Sequence, residues 1–223
     1  MNSPIERLQK TAAPELNFLL TEPPRLGDGE YDFGWYCREH AFCTAVLGAL
    51  LGISCQIVCG DFLIRTIDGF RLGSVGAAHD HSWCRTDTTP VLDLSLHFRQ
   101  FGPGPQIAEP IIRLGRNGIF DVRILPVTTE PFMEFGNDAF IGYIPRKILH
   151  ETAVDWVHSP LPFLRTGESA AISTRIALHV FRVLSGERDS LVGRMTQFDA
   201  LAYLRRSYES AEADLQELIE NAA

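Results

Sequence analysis

Residues 37–60, CREHAFCTAVLGALLGISCQIVCG, decide the fold of this chain. Over residues 37–51 the apolar side chains recur at the spacing of a mostly buried helix. Gly52 stands where glycine commonly caps a helix, because glycine adopts the left-handed conformation without steric cost. The apolar run from Ile53 to Cys59 then predicts a buried strand ending at the next glycine. The twenty residues 41–60 carry no charge, but three glycines and a change of periodicity favour helix and strand over a membrane span.

The composition of the whole chain is that of an ordinary globular protein. Its 223 residues are 45% hydrophobic and 22% charged, with a mean hydropathy of +0.01, and such a chain buries a core without disulfide or metal staples. The formal charge of −8 argues against nucleic acid or an anionic membrane bound by a broad basic surface. Five cysteines, an odd number, favour reduced thiols, and no secretory segment opens the sequence, so we expect a cytoplasmic protein.

Further signals for strands and helices lie after the helix and strand predicted within residues 37–60. The segments His79–Arg85 and Pro90–His97 predict two short strands joined by residues 86–89. Beyond a Pro/Gly-rich connection at 101–110, turn signals predict two further hairpins, over residues 111–127 and 132–144. Pro145 suits the first position of a helix running to about Val157. Two more helices are expected at about 169–184 and 196–221, the last with Thr196 and Asp199 as its cap and Phe198 in its apolar stripe.

These elements predict an α+β fold built from three segments of the chain. Residues 1–100 are expected to form the core, and residues 101–165 to add hairpins and a helix that complete the sheet. Residues 166–223 are predicted to form a C-terminal helical segment. We expect the three segments to pack as one compact domain.

Three residues, in the order Cys37, His81 and Asp93, are candidates for a thiol catalytic site. Cys37 begins the predicted helix, where unpaired N–H groups and the helix dipole favour the thiolate, the form that attacks a carbonyl carbon. The cysteines inside apolar segments are expected to stay neutral instead. Asp93 lies between Leu92 and Leu94, where a buried carboxylate is costly unless it has a partner, and a facing histidine would be such a partner.

The turn between the two short strands decides whether His81 and Asp93 meet. With a turn of three or five residues they are directly opposed, with Cβ atoms roughly 4.5–5.5 Å apart. At that distance the carboxylate fixes the imidazole tautomer and leaves the other ring nitrogen toward the thiol. With a turn of four residues the two side chains fall on opposite faces of the sheet.

A metal site is the competing interpretation of the same region. Zinc-type ligands are available in His79, Asp80, His81, Cys84 and Cys37. No Cys-x-x-Cys pair and no His-Glu-x-x-His motif accompanies them, so we favour the thiol site and expect neither a metal nor another cofactor. Each member of the trio, taken singly, is also explained by an ordinary structural role.

Residues 34–96 resemble the transglutaminase-like superfamily of the papain-like cysteine fold. The similarity runs through Cys37-x-x-x-Ala41, Gly52-Ile53, Val58-Cys59-Gly60-Asp61, His81-Ser82-Trp83, which is similar to the family's His-Ala-Trp, and Val91-Leu92-Asp93. The resemblance implies a core in which a cysteine at a helix N-terminus packs on an antiparallel sheet that carries the histidine and the aspartate. It also implies a nucleophile at Cys37, a base and acid at His81, and an orienting carboxylate at Asp93.

A more distant similarity, to arylamine N-acetyltransferases, rests on Cys37-x-Glu39. The Arg-Gly-Gly that precedes the cysteine in those enzymes is replaced here by Phe33-Gly34-Trp35, which weakens a coenzyme A interpretation. The glutamine that papain-type enzymes carry six residues before the cysteine would fall at Tyr31. We therefore expect the oxyanion to be bound by the Cys37 backbone N–H with Trp35 or Tyr36, and Trp83 and His79 to complete the substrate-binding residues.

These residues predict an enzyme that transfers an acyl group through a thioester. Hydrolysis of an amide bond in a peptide or small molecule, as by a peptidase, amidase or deamidase, is favoured over transfer to an amine. The alternative from another class is a non-catalytic binding protein on the same fold. Residues 101–223 are expected to set the substrate specificity.

Overall fold

The structure is a computed structural model that describes residues 3–20, 36–66, 71–72, 81–89, 91–96, 124–127, 130–135, 139–160, 163–164 and 166–222. Its helices are α1 (Pro4–Arg7), α2 (Ala13–Leu20), α3 (Cys37–Leu50), α4 (Ala153–His158), α5 (Gly167–Leu184), α6 (Gln197–Ser207) and α7 (Ala211–Ala222). A π-helical turn, Leu8–Ala12, joins α1 to α2, and a 3₁₀ turn is formed by Leu94–Leu96. The strands are β1 (Gln56–Thr66), β2 (Arg71–Leu72), β3 (His81–Arg85), β4 (Ile124–Val127), β5 (Glu130–Phe135) and β6 (Ala139–Ile148). The fold is therefore α+β.

The described strands form an antiparallel sheet in the order β2-β1-β6-β5-β4. β3 pairs with the first half of β1 and β2 with its far end, both on the edge of β1 that lies opposite β6. The hairpin predicted over residues 132–144 is confirmed by the pairing of β5 with β6, from Phe135 opposite Ala139. β4 pairs with β5, and the rest of the hairpin predicted from residue 111 lies outside the described residues, as does the connection at 101–110.

Helix α3 is the centre of the helical layer and confirms the helix predicted from residue 37. Every residue from Cys37 to Gly48 except Arg38 is buried, as expected of a helix that is covered on all sides. The helix packs on β3 and β1 with one face and on α5, α4 and α7 with others. No helix among the described residues is long and apolar enough to cross a membrane.

Gly52 ends α3 in the way the sequence predicts. Its φ of +73° is the left-handed conformation that favours glycine. The Ile53 N–H donates to the Gly48 carbonyl (2.8 Å) and the Gly52 N–H to the Ala49 carbonyl (3.0 Å). This pair of bonds is the Schellman arrangement, which satisfies the last carbonyls of a helix.

Two predictions about β1 and β6 are wrong. β1 does not end at Gly60 but continues to Thr66, and Pro145 lies inside β6 rather than at the start of a helix. Lys147 pairs with Cys59 and Pro145 with Gly60, so the strands contain a bulge between these pairs. A bulge accommodates a proline, which has no N–H for the ladder, and the predicted helix forms later, as α4.

The strand predicted over Pro90–His97 is also wrong. Of the described residues 91–96, only Leu92 forms a bridge, with Cys84, and the chain then turns into the 3₁₀ helix of residues 94–96. The bridge also differs from the predicted register, in which Leu92 lies opposite Ser82. The shift is by two residues, so it leaves His81 and Asp93 on the same face.

The last predicted helix is divided in two by residues 208–210. Tyr208 is buried at the break, and its hydroxyl lies 3.1 Å from Nδ1 of His179 on α5. Thr196 caps α6 as predicted, accepting from the Asp199 N–H, whereas Phe198 is 81% exposed and does not belong to a buried stripe.

Candidate active site

The three candidate catalytic residues are placed by three different elements around the start of α3. Cys37 is the first residue of α3, His81 is the first residue of β3, and Asp93 directly precedes the 3₁₀ turn. Their exposed fractions are 6%, 3% and 4%. The trio is therefore almost completely removed from bulk water, where charge interactions are stronger than at a surface.

His81 and Asp93 form a buried contact in which the imidazole Nε2 lies 2.5 Å from the carboxylate Oδ2. A turn of three or five residues predicts that the two side chains lie directly opposite each other on paired strands. In the structure the contact is made diagonally, because the bridge between Cys84 and Leu92 fixes the register and the chain turns at residue 94. With Nε2 held by the carboxylate, Nδ1 is the ring nitrogen left for another partner.

The Cys37 thiol lies beside His81, and a hydrogen bond with that side chain is among the causes that shift the pKa values of both groups. Burial acts against ionisation of the thiol, but the hydrogen bond and the positive charge of His81, with the backbone N–H of Ser82, outweigh it and lower the pKa of Cys37. The negative charge of Asp93 offsets part of this effect. The net effect is a thiol that loses its proton more readily than an ordinary cysteine.

The imidazolium is stabilised by the two acidic groups beside it. Burial alone would lower the pKa of His81, but the charge and hydrogen bond of Asp93, together with the contact to Cys37, raise the pKa of His81 to about 9. At neutral pH the ring therefore carries a proton. A protonated imidazole next to a thiolate is the arrangement that a general acid and a nucleophile require.

The backbone N–H of Ser82 is available to the sulfur because of a break in strand pairing. Cys84 exchanges both backbone hydrogen bonds with Leu92 (3.0 and 2.7 Å), so its N–H and C=O point away from β1. Ser82, two residues earlier on the same strand, points the same way. The chain that would pair with Ser82 has turned into the 3₁₀ helix, and the Ser82 N–H is one of the groups that lower the pKa of Cys37. The sequence argument missed this donor.

Asp93 is held on its other side by residues that the sequence argument also missed. Oδ1 of Asp93 accepts from the Ser95 hydroxyl (2.6 Å) and from the Ser95 backbone N–H (3.0 Å). The Asn17 side chain on α2 donates to the carbonyl of Leu94 (2.7 Å). A serine two residues after an aspartate is a local signal for such a turn, but no local signal connects Asn17 to this segment.

Of the four residues expected to bind substrate or oxyanion, Trp83 and Tyr36 lie within the described part of the chain. Trp83 is buried with its ring stacked on His81, 5.9 Å between centroids and 22° between planes. Tyr36 is half-buried directly before α3, and its side chain makes no capping hydrogen bond within the described part of the chain. Trp35 and His79 lie outside the described residues. Trp83 thus covers one face of the imidazole.

The other cysteines differ from Cys37 in their surroundings. Burial raises the pKa of the Cys43 thiol, and burial together with the neighbouring Cys55 raises the pKa of the Cys84 thiol. Cys55 and Cys59 are half-buried, so both are more exposed than Cys37. Cys37 is therefore a buried thiol whose pKa is lowered, and the more exposed Cys55 and Cys59 serve as internal controls for the effect of exposure.

A second buried polar cluster lies away from Cys37, on α2, α5 and the loop after α5. Glu15 accepts from the Ser190 hydroxyl (2.5 Å) and the Leu191 backbone N–H (2.7 Å), and its Oε1 lies 3.1 Å from His179 Nε2. Burial opposes ionisation, but these donors lower the pKa of Glu15. Sequence reasoning gave His179 no partner. Since Nδ1 of His179 is held by the Tyr208 hydroxyl and Nε2 by Glu15, both imidazole nitrogens have buried partners, and we interpret the cluster as a structural tie.

No group of three His, Cys, Asp or Glu side chains that could hold a metal ion occurs among the described residues. Of the zinc-type ligands considered from the sequence, His79 and Asp80 lie outside those residues. Comparison with protein-family models, with curated proteins and with solved structures finds no match to this chain.

Proposed function

We propose that the protein is a thiol-dependent enzyme that transfers acyl groups through a thioester, and that amide hydrolysis is its reaction. The observation that carries the proposal is the chain of contacts from Cys37 through His81 to Asp93, buried at the start of α3. A thiol, an imidazole and a carboxylate in that order are the parts of a nucleophilic triad. On the same ground we propose a transglutaminase-like core for residues 34–96.

The chemistry follows from the charges of the three groups. The Cys37 thiolate attacks the amide carbonyl carbon, and a carbon–sulfur bond forms. The imidazolium of His81 gives its proton to the leaving nitrogen as the carbon–nitrogen bond breaks, which leaves a thioester and a neutral imidazole. Asp93 holds the ring and stabilises its protonated form.

In the second half of the reaction, water hydrolyses the thioester. The neutral His81 takes a proton from a water molecule as its oxygen attacks the thioester, and the carbon–sulfur bond breaks to release the acid. Cys37 leaves as the thiolate beside a protonated imidazole, which restores the starting state. An amine in place of water would give the acyl transfer reaction instead.

The first test is the rate at which iodoacetamide alkylates each cysteine across an acid-to-alkaline pH series, located by mass spectrometry. Although Cys37 is the more deeply buried, we expect it to react faster than Cys55 and Cys59 at pH 7. The midpoint of its profile should lie below the roughly 8.5 of a free thiol. His81→Ala should move that midpoint upward and leave the rates of Cys55 and Cys59 unchanged.

A second measurement separates hydrolase, transferase and binding protein. A panel of amide and thioester substrates is incubated with the wild type and with Cys37→Ser, with and without an added primary amine. Loss of turnover in the variant supports the triad, and the product formed with the amine tells hydrolysis from transfer. An unreactive Cys37 in the first test, with turnover unaffected by Cys37→Ser, would contradict the enzyme and favour a binding protein.

A further inference from the structure

The two carboxylate oxygens of Asp93 have different hydrogen-bond partners. Oδ2 faces His81, and Oδ1 is occupied by two donors from a single residue, the hydroxyl and the backbone N–H of Ser95. A carboxylate at the end of a side chain turns about a broad, nearly two-fold torsion. With Oδ1 fixed by two donors, that torsion is fixed and Oδ2 is aimed at the imidazole.

The turn that carries Asp93 and Ser95 is held in place by helix α2. The amide of Asn17 on α2 donates to the carbonyl of Leu94 (2.7 Å) and to the carbonyl of Ala13 on its own helix (2.8 Å). Asn17 is buried, and Ser95 is 0% exposed. Buried hydrogen bonds are not exchanged with water, so these contacts hold the turn in one place.

We propose that Ser95 and Asn17 are positioning residues of the active site, and that α2, which precedes the nucleophile in the chain, sets the direction of the Asp93 carboxylate. The inference rests on the proposed function. Ser95 acts on Asp93, and Asn17 acts on the turn that carries it.

A purely electrostatic role of Ser95 predicts the opposite effect from a positioning role. Ser95 donates hydrogen bonds to the carboxylate, so removing its hydroxyl without any movement would leave Asp93 a stronger acceptor and would raise the proton affinity of His81. If the hydroxyl instead fixes the direction of Oδ2, its removal lets the carboxylate turn away. The His81 proton would then be held less tightly. The direction of the change in His81 protonation therefore decides between the two roles.

The experiment measures the protonation of His81 by NMR titration of its imidazole signals, assigned with His81→Gln. It compares the wild type with Ser95→Ala and with Ser95→Thr, which keeps the hydroxyl. The matched control is Ser173→Ala on α5, since Ser173 is also 0% exposed and its hydroxyl has no hydrogen-bond partner in the described part of the protein. Thermal unfolding is followed for every variant. Alkylation of Cys37 at pH 7 is a second readout.

For Ser95→Ala we expect the pKa of His81 to fall by about half to one pH unit, a change of about three- to tenfold in its acid dissociation constant. Cys37 alkylation at pH 7 should slow in the same variant. Ser95→Thr should restore both values, and Ser173→Ala should change neither. Asn17→Ala should act in the same direction as Ser95→Ala, and it decides the question if Ser95→Ala does not fold.

An unchanged or raised pKa of His81 in Ser95→Ala and Asn17→Ala would overturn the inference. If that occurs while wild-type Cys37 shows a depressed, His81-dependent alkylation midpoint, the proposed enzyme stands and only the positioning role fails. If wild-type Cys37 and His81 titrate as ordinary groups, the proposed function fails and the positioning role fails with it.

Discussion

Replacing Asp93 by Asn tests the electrostatics of the site most directly, because the change keeps the shape of the side chain and removes its charge. The pKa of His81 is about 9 in the structure, against 6.5 for an ordinary histidine. The difference corresponds to a factor of about 300 in proton affinity, or about 3 kcal/mol. Burial acts in the opposite direction, so the stabilisation that the carboxylate and Cys37 supply together exceeds this difference.

The expected result for Asp93→Asn is a pKa of His81 below 6.5, since the buried ring loses its main counter-charge and keeps its desolvation. The wild-type ring is protonated at pH 7 and loses its proton as the pH rises through about 9. In the variant the ring is neutral at pH 7. The Cys37 thiolate then lacks an adjacent positive charge, and its alkylation at that pH should slow by at least about tenfold, equivalent to about 1.4 kcal/mol.

NMR titration of the imidazole signals gives the protonation of His81, and iodoacetamide labelling gives the state of Cys37. Asp155→Asn is the matched control, because it removes the same charge from an exposed aspartate that caps α4. It should leave both measurements unchanged. If His81 in Asp93→Asn kept a pKa near 9, the carboxylate would not be the group that holds its proton, and the electrostatic reasoning would be refuted.

The remaining predictions concern stability and are measured by chemical denaturation. Glu15→Gln should lower the free energy of unfolding by at least about 2 kcal/mol, because a buried charged acceptor is removed from its donors. Since the pKa of Glu15 is lowered in the folded wild type, the wild type should lose this stabilisation as the pH falls through the carboxyl range. Gly52→Ala should cost about 1 kcal/mol because φ is +73°, whereas Gly167→Ala, at the start of a helix with open space around it, should be neutral or stabilising. A Cβ on Gly48 would lie 2.5 Å from the Cys55 sulfur, so Gly48→Ala should cost about 1–3 kcal/mol; if adding Cys55→Ala recovered none of the loss, the clash would not be the cause.

The parts of the fold that the sequence predicts are those that depend on local chemistry. The apolar periodicity of residues 37–51 and the glycine at 52 identify α3 and its end, because a fully covered helix and a left-handed cap each leave a local pattern. β6 could not be recognised in the same way. Pro145 is tolerated there only because β1 and β6 shift register beside Gly60, and a bulge between strands separated by eighty residues leaves no local signal.

In the candidate site too, the features with a local sequence signal could be predicted, whereas those that depend on tertiary contacts could not. Asp93 between two leucines indicates a buried carboxylate in need of a partner, and His81 is the side chain that contacts it. The local structure at Asp93 differs from the prediction, because Asp93 directly precedes a 3₁₀ turn and does not lie in a second strand. Asn17 lies far from Leu94 in the sequence, and only tertiary packing brings the two together.

Helix α2 connects the buried cluster around Glu15 with the turn that follows Asp93. Its Glu15 side chain reaches His179 on α5, and its Asn17 side chain reaches the turn that carries Asp93. If α2 left its place, a buried carboxylate, a buried imidazole and a buried carbonyl would lose their partners at the same time, and each such loss is costly. Docking of α2 and the geometry of the Asp93 turn should therefore be gained and lost together. A substitution that loosens α2 at Glu15 should for this reason also lower the pKa of His81, although Glu15 does not touch it.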